Sequence, residues 1–270
     1  MKVRIISDLH LGHVASCLTD PEMLDSLLVG VDELVLAGDV WQSRALGKEL
    51  ENARELLDRL VRMVSERGVT LRLLRGNHDP EGGKGVLFLE GEQVLVTHGD
   101  AVYDDATPWA REIHRYREEV AEIVEKYGDL SDQAEACAER AREIAMTIKP
   151  VPMPRLPPPL NYFVTALWPP SRAIEMTRVW LTMGEEGLRF LERSGEGASV
   201  LVCGHFHRPG IWEKGGRVMV NMGAFMKGCR PWAVDLEKGV MIARALDLVA
   251  GRYELGEVKG RWEISKSLSE

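Results

Sequence analysis

The chain is short of cysteine, of positive charge and of long apolar runs, and each shortage closes a class of function. Its four cysteines, Cys17, Cys137, Cys203 and Cys229, are scattered with no CxxC pair, so a disulfide framework is not expected. They read as reduced, mostly buried thiols of a cytoplasmic protein. No apolar stretch is long enough to span a bilayer. Asp8 and His10 interrupt the N-terminal run too early for a secretory h-region. Peripheral membrane contact stays open. Lys and Arg total 34 against 42 Asp and Glu, a formal net charge of -8. That balance, with no basic stripe, counts against a nonspecific nucleic-acid partner. Nothing in the pattern fixes an oligomeric state.

What the chain does have is a series of short polar blocks, most of them placed just after apolar runs. They are Asp8-Leu9-His10, Gly38-Asp39, Gly76-Asn77-His78-Asp79, His98-Gly99-Asp100, Gly204-His205-Phe206-His207, Asn221-Met222-Gly223 and the lone Asp235. The runs before the first five are VRIIS, LVLA, LRLL, VLVT and VLVC, with the β-branched and leucine-rich texture of strands buried on both faces. Strands that end this way aim their polar groups at one edge of one sheet, where open α/β sheets bind ligands. Five of the seven histidines fall in these blocks.

The rest of the pattern supplies an architecture. Strands at 2–8, 33–37 and 70–75 alternate with helical spacing at 22–29 and 46–66, a βαβαβ order that implies parallel pairing. A hairpin centred on Gly91 joins 86–89 to 93–97. Residues 107–127 and 131–148 then read as two long amphipathic helices. The stretch 150–170 holds eight of the thirteen prolines and should contain little helix. A third helix covers 171–193. Strands return at 199–203, 217–221, 231–236 and 240–246, and the tail after about 247 carries no readable motif. The expected organisation is a core of residues 1–102 and 196–270, interrupted by a helical, proline-rich insertion at 103–195 over the mouth of the site, whose apolar residues either pack against the insertion itself or a second subunit or form a lid or groove for an apolar substrate portion. At 270 residues the chain has room for both.

Asp, His, Asp, Asn, His, His and His offer oxygen and imidazole donors without thiolate, which suits Mn, Fe or Zn better than a structural zinc site. They are too many for one tetrahedral ion, and the count fits two ions sharing a carboxylate. Such a pair, roughly 3.5–4 Å apart, clamps the attacking and leaving oxygens of a phosphoryl transfer. A lone histidine at a strand end is ordinarily a hydrogen-bonded structural residue; the ordered set outweighs that reading. His13 and His114, outside the blocks, keep it.

The order DxH, GD, GNHD, HG, GHxH resembles the calcineurin-like metallophosphoesterase superfamily, over the sheet portions on both sides of the insertion. The resemblance implies a four-layer αββα sandwich of two mixed sheets with an inserted helical lid. It implies a metal-dependent phosphoester hydrolase whose two divalent cations are most readily manganese, with iron and zinc as alternatives. One cation would be held by Asp8, His10, Asp39 and His207, and the second by Asp39, Asn77, His98 and His205. His78 would serve the leaving oxygen as general acid or transition-state stabiliser, and Asp79 would orient His78 or the loop.

The spacing from His98-Gly99-Asp100 through Asp104-Asp105 and a helical insertion to Gly204-His205-Phe206-His207-Arg208-Pro209 also resembles the UDP-2,3-diacylglucosamine hydrolases. That would make the substrate a nucleotide- or lipid-linked pyrophosphate cleaved under an acyl-binding lid. Phe163 and Trp168 become candidates for acyl contact; Arg75 and Arg208, beside the blocks, are candidates equally for phosphate contact and for surface salt bridges. The departure is at His78, where that family has arginine. A general phosphodiesterase or phosphomonoesterase acting on soluble substrates is the alternative, followed by a nuclease and by a non-catalytic scaffold.

Overall fold

The computed structural model describes residues 1–110, 112–149 and 170–264. Among these residues eleven strands form two sheets. The first runs in the order β11-β10-β9-β1-β2-β3, from β1 (Lys2–Ile6), β2 (Glu33–Ala37), β3 (Thr70–Leu74), β9 (Trp232–Glu237), β10 (Val240–Val249) and β11 (Arg252–Glu263). The second runs β4-β5-β6-β8-β7, from β4 (Val86–Leu89), β5 (Val94–Thr97), β6 (Val200–Cys203), β7 (Gly210–Lys214) and β8 (Arg217–Asn221). β1, β2 and β3 are parallel, as are β5, β6 and β8; β9, β10, β11, β4 and β7 join antiparallel, so both sheets are mixed.

Strand alternation builds the layers. Ile5, Val35, Val94, Val96, Val200 and Val202 point between the sheets into one apolar cluster. Their neighbours Ile6, Leu34 and Leu36 face outward onto Leu56, Leu60 and Val64 of α1 (Lys48–Glu66). Leu95 and Leu201 face outward on the other side. They meet Ala138, Ala141 and Ile144 of α3 (Ala134–Thr147), Met183 and Leu191 of α4 (Pro170–Ser194), and beyond them α2 (Arg117–Tyr127). Both faces of the central strands are thus buried, which is why their sequences read as continuous apolar runs. The architecture is the expected four-layer αββα sandwich. The helices between residues 117 and 194 form the outer layer on the five-stranded sheet. Among the described residues, no helix is long and apolar enough to cross a membrane.

Four sequence expectations change. The run LRLL belongs to β3 at the edge of its sheet, where Arg72 and Leu73 are exposed and only Leu74 is buried. Helix α2 begins at Arg117 rather than 107, because 103–110 runs beneath the histidines described below. β7 and β11 are additional strands. Each belongs to a hairpin with a two-residue turn, Gly215-Gly216 between Lys214 and Arg217, and Ala250-Gly251 between Val249 and Arg252. All four turn residues have positive φ, as such turns require.

The fourth change concerns Asp235. β9 runs antiparallel to β1, so Asp235 sits opposite Arg4 in mid-strand rather than at the strand ends that gather the other blocks. Its carboxylate takes Nε and Nη2 of Arg4 at 2.6 and 2.8 Å, while Arg4 Nη1 donates to the Leu27 carbonyl at 2.5 Å. Both residues are buried, so breaking the pair leaves an uncompensated guanidinium. Asp235→Ala should cost about 3–5 kcal/mol in urea unfolding, with metal content unchanged. Arg4→Met/Asp235→Leu should recover most of that loss. Loss of metal from the folded single variant would return Asp235 to the site.

Candidate metal centre

The parallel strands carry the remaining blocks to one edge of the sandwich. Asp8 and His10 follow β1, Asp39 follows β2, Asn77, His78 and Asp79 follow β3, His98 follows β5, and His205 and His207 follow β6. The loops are laced together by backbone bonds: Asp8 N to Gly38 O, His10 N to Asp39 O, Gly204 N to His98 O, and Phe225 N to Asp8 O. Asp8, His10, Asp39, His205 and His207 all have positive φ, between 49° and 71°. Non-glycine residues in that region cost of order 1–3 kcal/mol each and persist where the surroundings over-determine them. The motif glycines have a steric reason. A Cβ on Gly38 would lie 2.6 Å from Cβ of His98, and one on Gly204 would collide with the Asp8 carboxylate.

Two groups of donors converge. Asp8, His10, Asp39 and His207 each offer one atom, all within 4.8 Å of one another. Beside them, His98 Nε2 lies 3.1 Å from Asn77 Oδ1, 3.1 Å from His205 Nδ1 and 3.4 Å from Asp39 Oδ2. Asp39 Oδ2 also lies 3.7 Å from His10 Nε2, so one carboxylate oxygen faces both groups. Oδ1 of the same carboxylate accepts from the His78 backbone N–H at 2.8 Å.

The outer nitrogens show what the inner ones are free to do. His98 Nδ1 donates to the Ala37 carbonyl at 3.2 Å and His205 Nε2 to the Ala106 carbonyl at 3.0 Å. Ala106 itself has φ 58°. With those protons placed outward, the neutral forms of His98 and His205 turn lone pairs toward each other and toward buried Asp39. Carbonyl-anchored imidazoles and carboxylates converging in this way fit divalent cations. The donor chemistry, oxygen and imidazole without sulfur, fits as well.

The electrostatics follow from this crowding. Burial would lower His98, but Asp39, with Asp8 and Asp100, holds it well above the ordinary histidine value. Burial would raise Asp39, but His98, His78 and His10 hold it well below the carboxylate range. His10 and His205 are pushed well down, chiefly by burial. His78 is lowered by desolvation and by His207 and His98, against Asp39. Burial and Asp39 push Asp79 up to about 7, and burial lifts Asp100 to about 6. A raised His98 keeps its proton at neutral pH until a cation displaces it, so metal affinity should fall as pH falls. Calorimetric metal titrations in two buffers of different ionisation enthalpy should differ by the proton released; identical heats would contradict this.

The other expected residues divide. Asp79 is buried and accepts from the N–H groups of Val40, Gly76 and Asp39 at 2.7, 2.8 and 3.1 Å, fastening the loop after β2 to the loop after β3. It bonds these backbone groups; the side-chain partner of His78 is Gln42. The His78 side chain is 40% exposed, with Nε2 3.9 Å from Asp39 Oδ2. Arg208 is exposed beside His207. Arg75 is instead buried, turned onto α3 with Nη2 2.9 Å from Glu139 and 3.2 Å from Glu135, which supply its counter-charge in place of phosphate. Phe163 and Trp168 lie outside the described residues. His114 is exposed, near Arg117 and Ser171. His13 does lie beside the site, its ring 6.0 Å from that of His10 and its Nδ1 accepting from Ala15 N–H at 3.0 Å. Crowding by burial, His78 and His207 lowers it to about 4. Residues with no signal in the sequence complete the shell: the Ala37 and Ala106 carbonyls, Gln42, and Trp109, whose ring sits 4.8 Å from that of His205.

The family model described as calcineurin-like phosphoesterase matches residues 1–209. The chain belongs to the calcineurin-like phosphoesterase family. Similar solved structures include a predicted phosphoesterase from Streptococcus pneumoniae, at 14% identity and a TM-score of 0.36, covering 96% of this chain and 97% of that one. Zinc-complexed Vps29 from Entamoeba histolytica is similar at 17% identity and 0.42, over 98% and 100%. A cold-active protein-tyrosine phosphatase from Shewanella is similar at 12% and 0.42, over 95% and 80%. No match is found among curated proteins. Family membership and the donor cluster at Asp8, His10, Asp39 and His207 together support divalent-metal binding and a metal-dependent phosphoester hydrolase.

Proposed function

We propose that this calcineurin-like phosphoesterase hydrolyses a phosphodiester or pyrophosphate bond with two divalent cations. One is held by Asp8, His10, Asp39 and His207, the other by Asp39, Asn77, His98 and His205. The observation that carries the reading is Asp39 Oδ2, which faces His10 and His98 at once. The cations, manganese first and iron or zinc as alternatives, neutralise phosphoryl charge and lower the pKa of water.

The chain's own groups do the rest. Asp39 keeps its charge and joins the two halves of the site. Asp79 holds the loops that present Asp39 and Asn77. His78, open to solvent on one side, brings an imidazole to the leaving or a non-bridging oxygen. Arg208, exposed beside His207, meets the far phosphate of a pyrophosphate.

A nucleotide- or lipid-linked pyrophosphate such as UDP-2,3-diacylglucosamine is favoured by one further observation. Helix α4 exposes Ile174, Trp180 and Leu181, and Trp180 Nε1 donates to the carbonyl of Phe206 at 3.1 Å, between two site histidines. That bond ties an apolar side chain of α4 to the loop that carries His205 and His207, and an acyl chain leaving the site would lie along it. Metal-stripped protein refilled with manganese should cleave bis-p-nitrophenyl phosphate, and should prefer the UDP-lipid if the apolar surface binds acyl chains. Preference for the simple diester would remove the lipid reading. Silence on p-nitrophenyl phosphate, the diester and the UDP-lipid alike would overturn the hydrolase reading in favour of a scaffold.

A further inference from the structure

Gln42 lies three residues after Asp39 and joins two histidines of different function. It is buried, with its backbone fixed by N–H donation to Leu11 O at 3.1 Å and by acceptance from Ala45 N at 3.2 Å. Its amide Nε2 lies 2.9 Å from His10 Nδ1, and its Oε1 lies 2.9 Å from His78 Nδ1. The two imidazoles stand edge to face, ring centres 4.9 Å apart.

An amide has one donating end and one accepting end, so it imposes opposite demands on the two rings. With NH2 toward His10, Nδ1 of His10 is an acceptor and its proton rests on Nε2, while His78 carries its proton on Nδ1. With the amide turned by half a rotation, Oε1 accepts a proton on His10 Nδ1, and NH2 donates to a bare His78 Nδ1. Oxygen and nitrogen exchange places with no movement of either ring. Only the second arrangement leaves His10 Nε2 free to bind a cation beside Asp8 and Asp39. In that arrangement His78 is a neutral imidazole with its proton on Nε2, the nitrogen on the Asp39 side. No proton is gained or lost: each ring moves one proton from one nitrogen to the other.

We propose that Gln42 is a positioning residue that couples cation binding at His10 to the proton position on His78, so that the loaded site holds His78 as a neutral Nε2–H donor. The inference rests on the two-cation reading and narrows the role of His78. With its proton on Nε2, His78 turns an N–H toward the Asp39 side of the site, where a phosphoryl oxygen can accept from it.

The test uses full-length, 15N-labelled protein loaded with zinc, a diamagnetic cation, and long-range 1H–15N spectra of the histidine rings. Stripped protein should show His78 protonated at Nδ1, and the loaded protein should show Nδ1 bare and Nε2 protonated. In Gln42→Glu the carboxylate accepts from both rings, so loaded His78 should revert to a protonated Nδ1 with both zinc ions still bound. His78 already protonated at Nδ1 in the loaded wild type, or unchanged in Gln42→Glu, would overturn the coupling while leaving the two-cation reading intact. Zinc binding at fewer than two sites in the wild type would overturn that reading instead. If Gln42→Glu does not fold, Gln42→Met serves: without the amide, loaded His78 should lose its single tautomer, and a retained Nε2–H form would refute the role of Gln42.

Discussion

Asp39→Asn should strip the site and abolish turnover in one step. Asp39 Oδ2 faces His10 at 3.7 Å and His98 at 3.4 Å, and the negative charge of Asp39 opposes the loss of the proton on His98. An amide keeps the shape but removes the charge that two cations would share. Losing a hydrogen-bonding partner of a metal ligand already costs roughly 10–100-fold in affinity, and the shared ligand itself should cost more at both positions. Metal analysis after dialysis should therefore show neither cation retained, with hydrolysis of bis-p-nitrophenyl phosphate at background. Stability of the metal-free protein should fall as well, since His98, His78 and His10, which hold Asp39 well below the carboxylate range, lose their counter-charge. Full activity in Asp39→Asn would remove the shared-carboxylate assignment.

The second large effect separates chemistry from metal binding. His78→Ala should lower kcat roughly 10²–10³-fold, the usual loss when one hydrogen-bond donor to developing charge is removed. Both cations should stay, because His78 belongs to neither donor group. His78→Gln restores an N–H donor and should recover part of that loss. A group that must deliver a proton would be rescued by no amide, so equal kcat in the two variants would favour general-acid chemistry. Unchanged kcat in His78→Ala would reduce His78 to a structural residue.

Much of this site is legible in the sequence because most of the donor blocks follow closely on apolar runs. VRIIS before Asp8, LVLA before Asp39 and VLVC before His205 announce both the strand and the edge it points to. What is hidden depends on pairing between distant segments. The sequence does not reveal that β9 runs against β1, which carries Asp235 to Arg4 instead of to the histidines. Arg75 reads equally as a phosphate contact or a salt bridge until Glu135 and Glu139 arrive from α3, sixty and more residues later. The carbonyls of Ala37 and Ala106 anchor His98 and His205 through atoms every residue possesses. The sequence from 107 onward reads as helix, yet Trp109 packs against His205 and α2 starts only at Arg117. Gln42 carries no motif of its own; its meaning comes from the two rings it separates.

The most direct measurement of the account is the rate of bis-p-nitrophenyl phosphate hydrolysis as manganese is added stepwise to metal-stripped protein. Two donor groups sharing Asp39 predict no turnover without metal and a rate that reaches its plateau only at two equivalents per chain. A plateau at one equivalent, or two bound ions with no hydrolysis, would contradict the two-metal phosphoesterase.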